Sequence, residues 1–215
     1  VKLVVSRPGQ KAGRGRSQTA TPVSRYALST DARLITPVSW KDGKALADIR
    51  GTGAQVIIVA SYGLLIPNDL LKIPEYGVLN IHPSLLPAYR GPSPVVTAIL
   101  KGVAGTGVTV MELDEGLDTG PIVAQREVSI GATESAENLE KRLFGRGAEL
   151  LLDILPGWVN GEVLSQKQAQ EKATYTKRFS KEDGRIDWNK TTAAIMNNDD
   201  YYTVQKAITP FSINV

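Results

Sequence analysis

The run Val56-Ile57-Ile58-Val59-Ala60 constrains the fold more than any other part of the chain. It is continuously apolar, mostly β-branched and too short for a helix, so it is expected as a strand buried on both faces. Such strands belong to parallel sheets covered by helices on each side. The rest of the chain carries that pattern forward: strands at 1–5, 34–38 and 77–82 alternate with helical stretches at 22–28, 42–49, where Asp42 is a candidate N-cap, and 67–71. The expected class is α/β, a doubly wound and mainly parallel sheet with right-handed crossovers. A helix at 94–101, a strand at 107–113, its hairpin partner at 121–128 and an amphipathic helix at 138–155 complete it, with Leu139, Leu143, Leu150 and Leu151 on the core side. From residue 157 the chain turns polar, and a domain edge is expected there.

In sheets of this type ligands bind beyond the carboxyl ends of the strands. The strand at 77–82 ends in Asn80-Ile81-His82-Pro83. Side chains at i and i+2 of a strand leave on one face, so Asn80 and His82 are expected side by side, and Pro83 stops the ladder. An amide donor next to an imidazole is equipment for holding and protonating an oxyanion. Standing alone, the same histidine also fits a strand cap bonded to backbone.

Composition narrows the chemistry. The 215 residues suffice for one large domain, or one domain with a fragment of another. Zero cysteines exclude disulfides and thiolate chemistry, and a single histidine excludes a histidine-cluster metal site. No carboxylates are grouped as ligands, so no metal is expected. No apolar run reaches the roughly 18 residues of a membrane span, and residues 1–5 are too short for a secretory core, so an intracellular protein is expected. Net charge is only +3, yet Arg7, Lys11, Arg14 and Arg16 cluster in a glycine-bearing loop with no acidic residue before Asp31. A solvated basic loop and a phosphate-contacting one share this composition.

Three more blocks follow strand ends or fill Gly/Pro-rich loops: Ser61-Tyr62-Gly63-Leu64-Leu65-Ile66-Pro67, Pro87-Ala88-Tyr89-Arg90-Gly91-Pro92, and residues 113–121. In the last, Gly116 and Gly120 flank Asp118 in a tight loop that could carry its carboxylate next to His82. There it would orient the imidazole or assist proton transfer. A turn-forming acidic loop is the plainer reading.

Together, the Asn80-x-His82 strand end, Ser84-Leu85-Leu86-Pro87 and Asp118 resemble the formyltransferases that use 10-formyltetrahydrofolate. The resemblance implies a Rossmann-like formyltransferase fold. It implies that Asn80 and His82 stabilise the tetrahedral intermediate on the formyl carbonyl while Asp118 assists proton transfer from the amine. It places folate contacts, several through backbone, at Val59, Ser61, Leu65, Ile66, Ser84, Leu85, Leu86, Pro87, Leu113, Asp114, Glu115 and Gly116. The loop at 7–16 resembles the acceptor-stem loop of the methionyl-tRNA branch of that family, with Arg14 entering the tRNA end and Arg7, Lys11 and Arg16 as phosphate contacts. The stretch at 175–188 resembles the same branch, and sugar-nucleotide relatives carry a similar one.

The resemblance runs to about residue 195. It implies a catalytic domain at 1–156 that lacks an N-terminal strand and helix, a linker at 157–190, and a divergent remnant of a truncated C-terminal domain at 191–215. The implied partners are initiator methionyl-tRNA and the folate donor, with no membrane, a monomeric state, and a cytoplasmic or organellar location. The alternatives are transfer to a small amine or water, and a non-catalytic folate- or RNA-binding fragment.

Overall fold

The computed structural model describes residues 1–12, 17–131, 133–184 and 189. Arg14, Arg16, the last four residues of the 175–188 stretch and the expected remnant at 191–215 lie outside the described residues. These residues form two compact units, 1–57 with 62–78, and 58–61 with the chain from 79 onward.

In the first unit, β1 (Val4–Val5) pairs in parallel with β4 (Leu34–Ile35), Val4 opposite Leu34. Both strands are shorter than their apolar runs. Between them, β2 (Gln10–Ala12) and β3 (Ser17–Thr19) pair antiparallel with Lys11 opposite Gln18, so Lys11 lies in a strand where the sequence suggested a loop. Helix α1 (Pro22–Ser29) starts where it should: Thr21 caps it by accepting the Ser24 N–H, and Pro22, which has no N–H to lose, opens the first turn. Helix α2 (Lys44–Arg50) begins two residues after Asp42. Gly43 in the left-handed region is its N-cap, and the Asp42 carboxylate still accepts the Lys44 N–H. A short α3 (Asn68–Leu71) follows Pro67.

The second unit is built on a four-stranded sheet in the order β5 (Ile57–Ala60), β6 (Val78–His82), β7 (Gly105–Glu112), β8 (Ile122–Ser129). Where β5 and β6 begin, Tyr76 N–H bonds to Gln55 O and Ile57 N–H to Gly77 O, numbers rising together as in a parallel pair. The pairs β6/β7 and β7/β8 are antiparallel. The expected α/β architecture is thus present, with its parallel elements joined to the hairpin anticipated at 107–128. The full burial expected for 56–60 is found one strand over. Strand β5 lies at the edge with alternating exposed residues, whereas all five residues of β6, flanked on both sides, are buried. A continuous apolar run does not tell an edge from a centre.

Helix α4 (Pro94–Leu100) and the long α5 (Ala136–Val159) complete the unit. Ser135 caps α5 by accepting the Asn138 N–H. The helix passes through Pro156 and stops at Asn160, where Gly161 supplies a left-handed turn, so it extends past the expected end at 155. Leu139, Leu143, Leu150 and Leu151 face inward as their spacing requires. Gly147 lies directly against the sheet. A Cβ there would lie 2.5 Å from Ile81 Cγ2 and 2.8 Å from Val108 Cγ2. Because Ile81 faces α5, its neighbours Asn80 and His82 leave on the other face of β6.

Candidate active site

Asn80 and His82 do stand side by side, both buried, at the end of the central strand. Asn80 carries no side-chain hydrogen bond among the described residues, so its amide is free to bind. His82 is held. Its Nε2 lies 3.0 Å from the carbonyl oxygen of Tyr89. A carbonyl can only accept, which puts the proton on Nε2 and leaves Nδ1 as the nitrogen that gains or releases one. Nδ1 faces the carboxylate of Asp118 at 3.7 Å. The Asp118 Oδ2 also accepts the Gly91 N–H at 2.7 Å.

Backbone strain falls on two residues that meet His82, Tyr89 and Asp118, and on Ser61 after β5. Ser61, Tyr89 and Asp118 have φ of 47°, 60° and 53°, three of the four non-glycine residues with positive φ among those described. Such conformations cost roughly 1 kcal/mol or more each and persist where surroundings over-determine them. At Tyr89 and Asp118 they accompany a carbonyl directed at His82 Nε2 and a carboxylate facing Nδ1. The glycines flanking Asp118 act as the sequence suggested. The Thr119 hydroxyl, bonded to Asp114, occupies the space of a Cβ at Gly116, and Gly120 runs against the Glu112 carbonyl.

The expected folate residues divide by environment. Ser84 and Leu86 are turned inward: the Ser84 hydroxyl donates to Ala88 O at 2.6 Å. Thr109 Oγ1 donates to Ser84 O and accepts from Leu86 N–H, and Gln125 Nε2 donates to Leu86 O. Leu85 and Pro87 are half-buried. Leu113 is half-buried, while Asp114, Glu115 and Gly116 are exposed, with the Asp114 carboxylate accepting from Gly116 N–H. Val59 and the exposed Ser61 belong to the second unit; Leu65, 89% exposed, and half-buried Ile66 belong to the first. Of the basic residues, Arg7 packs against the loop: its guanidinium lies 3.6 Å from where a Gly63 Cβ would stand, and its charge opposes the rise that burial imposes on the Tyr62 hydroxyl pKa. Lys11 is in β2.

Sequence reasoning missed the polar frame behind this site. Arg90 is fully buried, and its partners Gln168, Gln170 and Tyr175 come from beyond α5, where residues 166–176 return to the sheet. That segment makes bridges between Ile122 and Gln166 and between Arg90 and Tyr175. A charged residue inside a Gly/Pro-rich loop was the only local hint. The chain holds no group of three metal-binding side chains and no helix long and apolar enough to cross a membrane, among the described residues.

The family described as formyl transferase matches residues 1–155. The methionyl-tRNA formyltransferase of Roseiflexus castenholzii is 44% identical over 192 residues, covering 89% of this chain and 61% of that protein. The chain thus spans about three fifths of the curated relatives it matches. Among solved structures, glycinamide ribonucleotide transformylase 1 from Geobacillus kaustophilus superposes with a TM-score of 0.57 at 35% identity, over 70% of this chain and 78% of that one. The formyltransferase PseJ from Anoxybacillus kamchatkensis, in complex with UDP-4,6-dideoxy-4-formamido-L-AltNAc and tetrahydrofolate, shares the fold with a TM-score of 0.58 at 23% identity, over 82% and 85% of the two chains.

Proposed function

The chain belongs to the formyl transferase family, and from that premise we propose that it moves the formyl group of 10-formyltetrahydrofolate onto the amine of methionyl-tRNA. The carrying observation is the free Asn80 amide beside a His82 whose Nδ1 faces Asp118 at 3.7 Å. Catalysis of acyl transfer needs donors aimed where negative charge develops and a group that handles the amine proton. Asn80 and His82 Nδ1 are the proposed donors to the formyl oxyanion, Asp118, steadied by the Gly91 N–H, assists removal of the amine proton, and the folate nitrogen takes up a proton as its bond to the formyl carbon breaks.

The folate donor supplies the activated formyl group. A bound tetrahydrofolate in the Anoxybacillus enzyme supports that choice. Within the second unit, Val59, Ser61, Leu85, Pro87 and residues 113–116 are the proposed donor contacts, and Ser84 and Leu86 are buried in the same loop. Relatives named methionyl-tRNA formyltransferase support the tRNA acceptor, with Arg7, Lys11, Arg14 and Arg16 on the phosphates. A small amine as acceptor is the second reading, favoured by the likeness to glycinamide ribonucleotide transformylase.

Following loss of the 10-formyl group with and without methionyl-tRNA decides between them. Loss that requires charged tRNA and vanishes in His82→Ala upholds the reading. Loss indifferent to tRNA favours the small acceptor or water, and inertness under every condition overturns catalysis by this chain.

A further inference from the structure

Arg90 is 0% exposed, and its described partners are all neutral. Its Nε and Nη2 donate to Gln168 Oε1 at 3.0 and 2.6 Å, and its Nη1 donates to Gln170 Oε1 at 2.9 Å and to the Tyr175 hydroxyl at 3.1 Å. A buried guanidinium is ordinarily paired with a carboxylate, since neutral acceptors compensate less of its lost hydration. What this one gains is geometry. It takes both available directions of the Gln168 amide oxygen and so fixes which way the amide points.

The other end of that amide reaches the reactive loop. Gln168 Nε2 donates to the carbonyl oxygens of Asp118 at 2.9 Å and Gly120 at 2.7 Å. One glutamine therefore ties the loop carrying Asp118 to Arg90, whose preceding residue, Tyr89, gives His82 its hydrogen-bond acceptor. The same returning segment holds the backbone of that loop: Thr174 Oγ1 accepts the Tyr89 N–H at 2.8 Å and Thr174 O the Arg90 N–H at 2.9 Å. Both strained residues, Tyr89 and Asp118, are thereby clamped by residues 168–174.

We propose that Arg90 and Gln168 are positioning residues, a guanidinium–amide couple that sets the separation of the His82 imidazole and the Asp118 carboxylate without touching the reacting atoms. The proposal rests on the reading of His82 and Asp118 as catalytic. Misplacement of reacting groups by about 1 Å costs on the order of a hundredfold in rate.

Gln168→Glu is the deciding substitution. It keeps an oxygen for Arg90 and so the buried charge stays paired, but it removes both hydrogens directed at Asp118 and Gly120. Gln168→Leu also strips Arg90 and is expected to lower the melting temperature, which makes it the less informative variant. In formyl transfer from 10-formyltetrahydrofolate to methionyl-tRNA, Gln168→Glu is expected to lower kcat by about tenfold to a hundredfold with KM for the donor within about twofold. The double variant with Asp118→Asn is expected to be no slower than Asp118→Asn alone, since residues that act through one another are not additive. The imidazole is a second readout that needs no turnover. His82 is the only histidine of the chain, so its Nε2–H proton resonance is unambiguous, and it is expected to broaden or move in Gln168→Glu. A kcat within twofold of the parent, or losses that multiply in the double variant, overturns the proposal. If Asp118→Asn proves fully active, the functional reading falls, and the imidazole signal alone decides: a moved resonance upholds the positioning role and an unmoved one overturns it.

Discussion

His82 Nε2 donates a hydrogen bond to the Tyr89 carbonyl at 3.0 Å, and this bond leaves Nδ1 as the ring nitrogen facing Asp118. With Nε2 committed, the proposed proton transfer falls to Nδ1, which lies 3.7 Å from Asp118. His82→Ala is expected to reduce formyl transfer by at least about a thousandfold, within the range for loss of a general acid–base group with its charge stabilisation. Single-turnover assays on a variant with a parental circular-dichroism spectrum check this, and near-parental turnover would sink the assignment.

Asn80 separates catalysis from stability. It breaks no side-chain hydrogen bond among the described residues when truncated, so Asn80→Ala is expected to change the melting temperature by little. Removing an oxyanion donor lowers kcat by about a hundred- to a thousandfold. Thermal melts run beside kinetics test the split, and a large drop in melting temperature with a modest kinetic effect would contradict it.

Gly145 and Gly147 sit in the same helix with opposite surroundings. Nothing lies within 4 Å of a Cβ at Gly145, whereas one at Gly147 meets Ile81 and Val108. Gly145→Ala is expected to stabilise by up to about 1 kcal/mol through helix propensity. At Gly147 the same gain is opposed by overpacking of about 1–3 kcal/mol, so Gly147→Ala is expected to destabilise. Paired urea titrations measure both signs.

The turn into α5 carries a pH-dependent clamp. Arg142 binds Glu134 through Nε and Nη2 and also donates to Ser129 O. The guanidinium, with the Gly131 N–H, holds the Glu134 carboxyl below its ordinary value of 4.5. A depressed acid contributes stability fully above its unfolded value and loses it as pH falls through the folded one. Glu134→Gln is therefore expected to cost about 1 kcal/mol at pH 7 and nothing at low pH, below the depressed value. Denaturation at a series of pH values reads the convergence.

Arg14 tests the acceptor. Arg14→Ala is expected to raise KM for methionyl-tRNA and to flatten its salt dependence, with donor KM unchanged. An unaltered KM for tRNA across ionic strengths would favour the small-amine reading.

Much of this was legible in the chain. Strand β6, the hairpin at 107–128 and the apolar face of α5 follow from period and length, and the i, i+2 rule put Asn80 and His82 on one face. The two glycines around Asp118 announced a loop tight enough to reach the histidine. Burial of β5 was not legible, because edge or centre is set by neighbours. Nor was the frame behind the site: Gln168 meets Arg90 across a separation of 78 residues, from a polar stretch that reads as turn and linker. The Tyr89 carbonyl and the Gly91 N–H are backbone groups, and every residue has those.

The return of residues 166–176 to the sheet imposes an order of events on the nascent chain. Once α5 has emerged, the sheet, its covering helix and the histidine can all be in place, yet the carbonyls of Asp118 and Gly120 still lack Gln168 and the Tyr89 loop still lacks Thr174. Closing contacts so far apart in sequence comes late, after the local ones have formed. The Asp118 and Tyr89 loops of this unit thus keep unpaired backbone groups until residues 168–174 have been made.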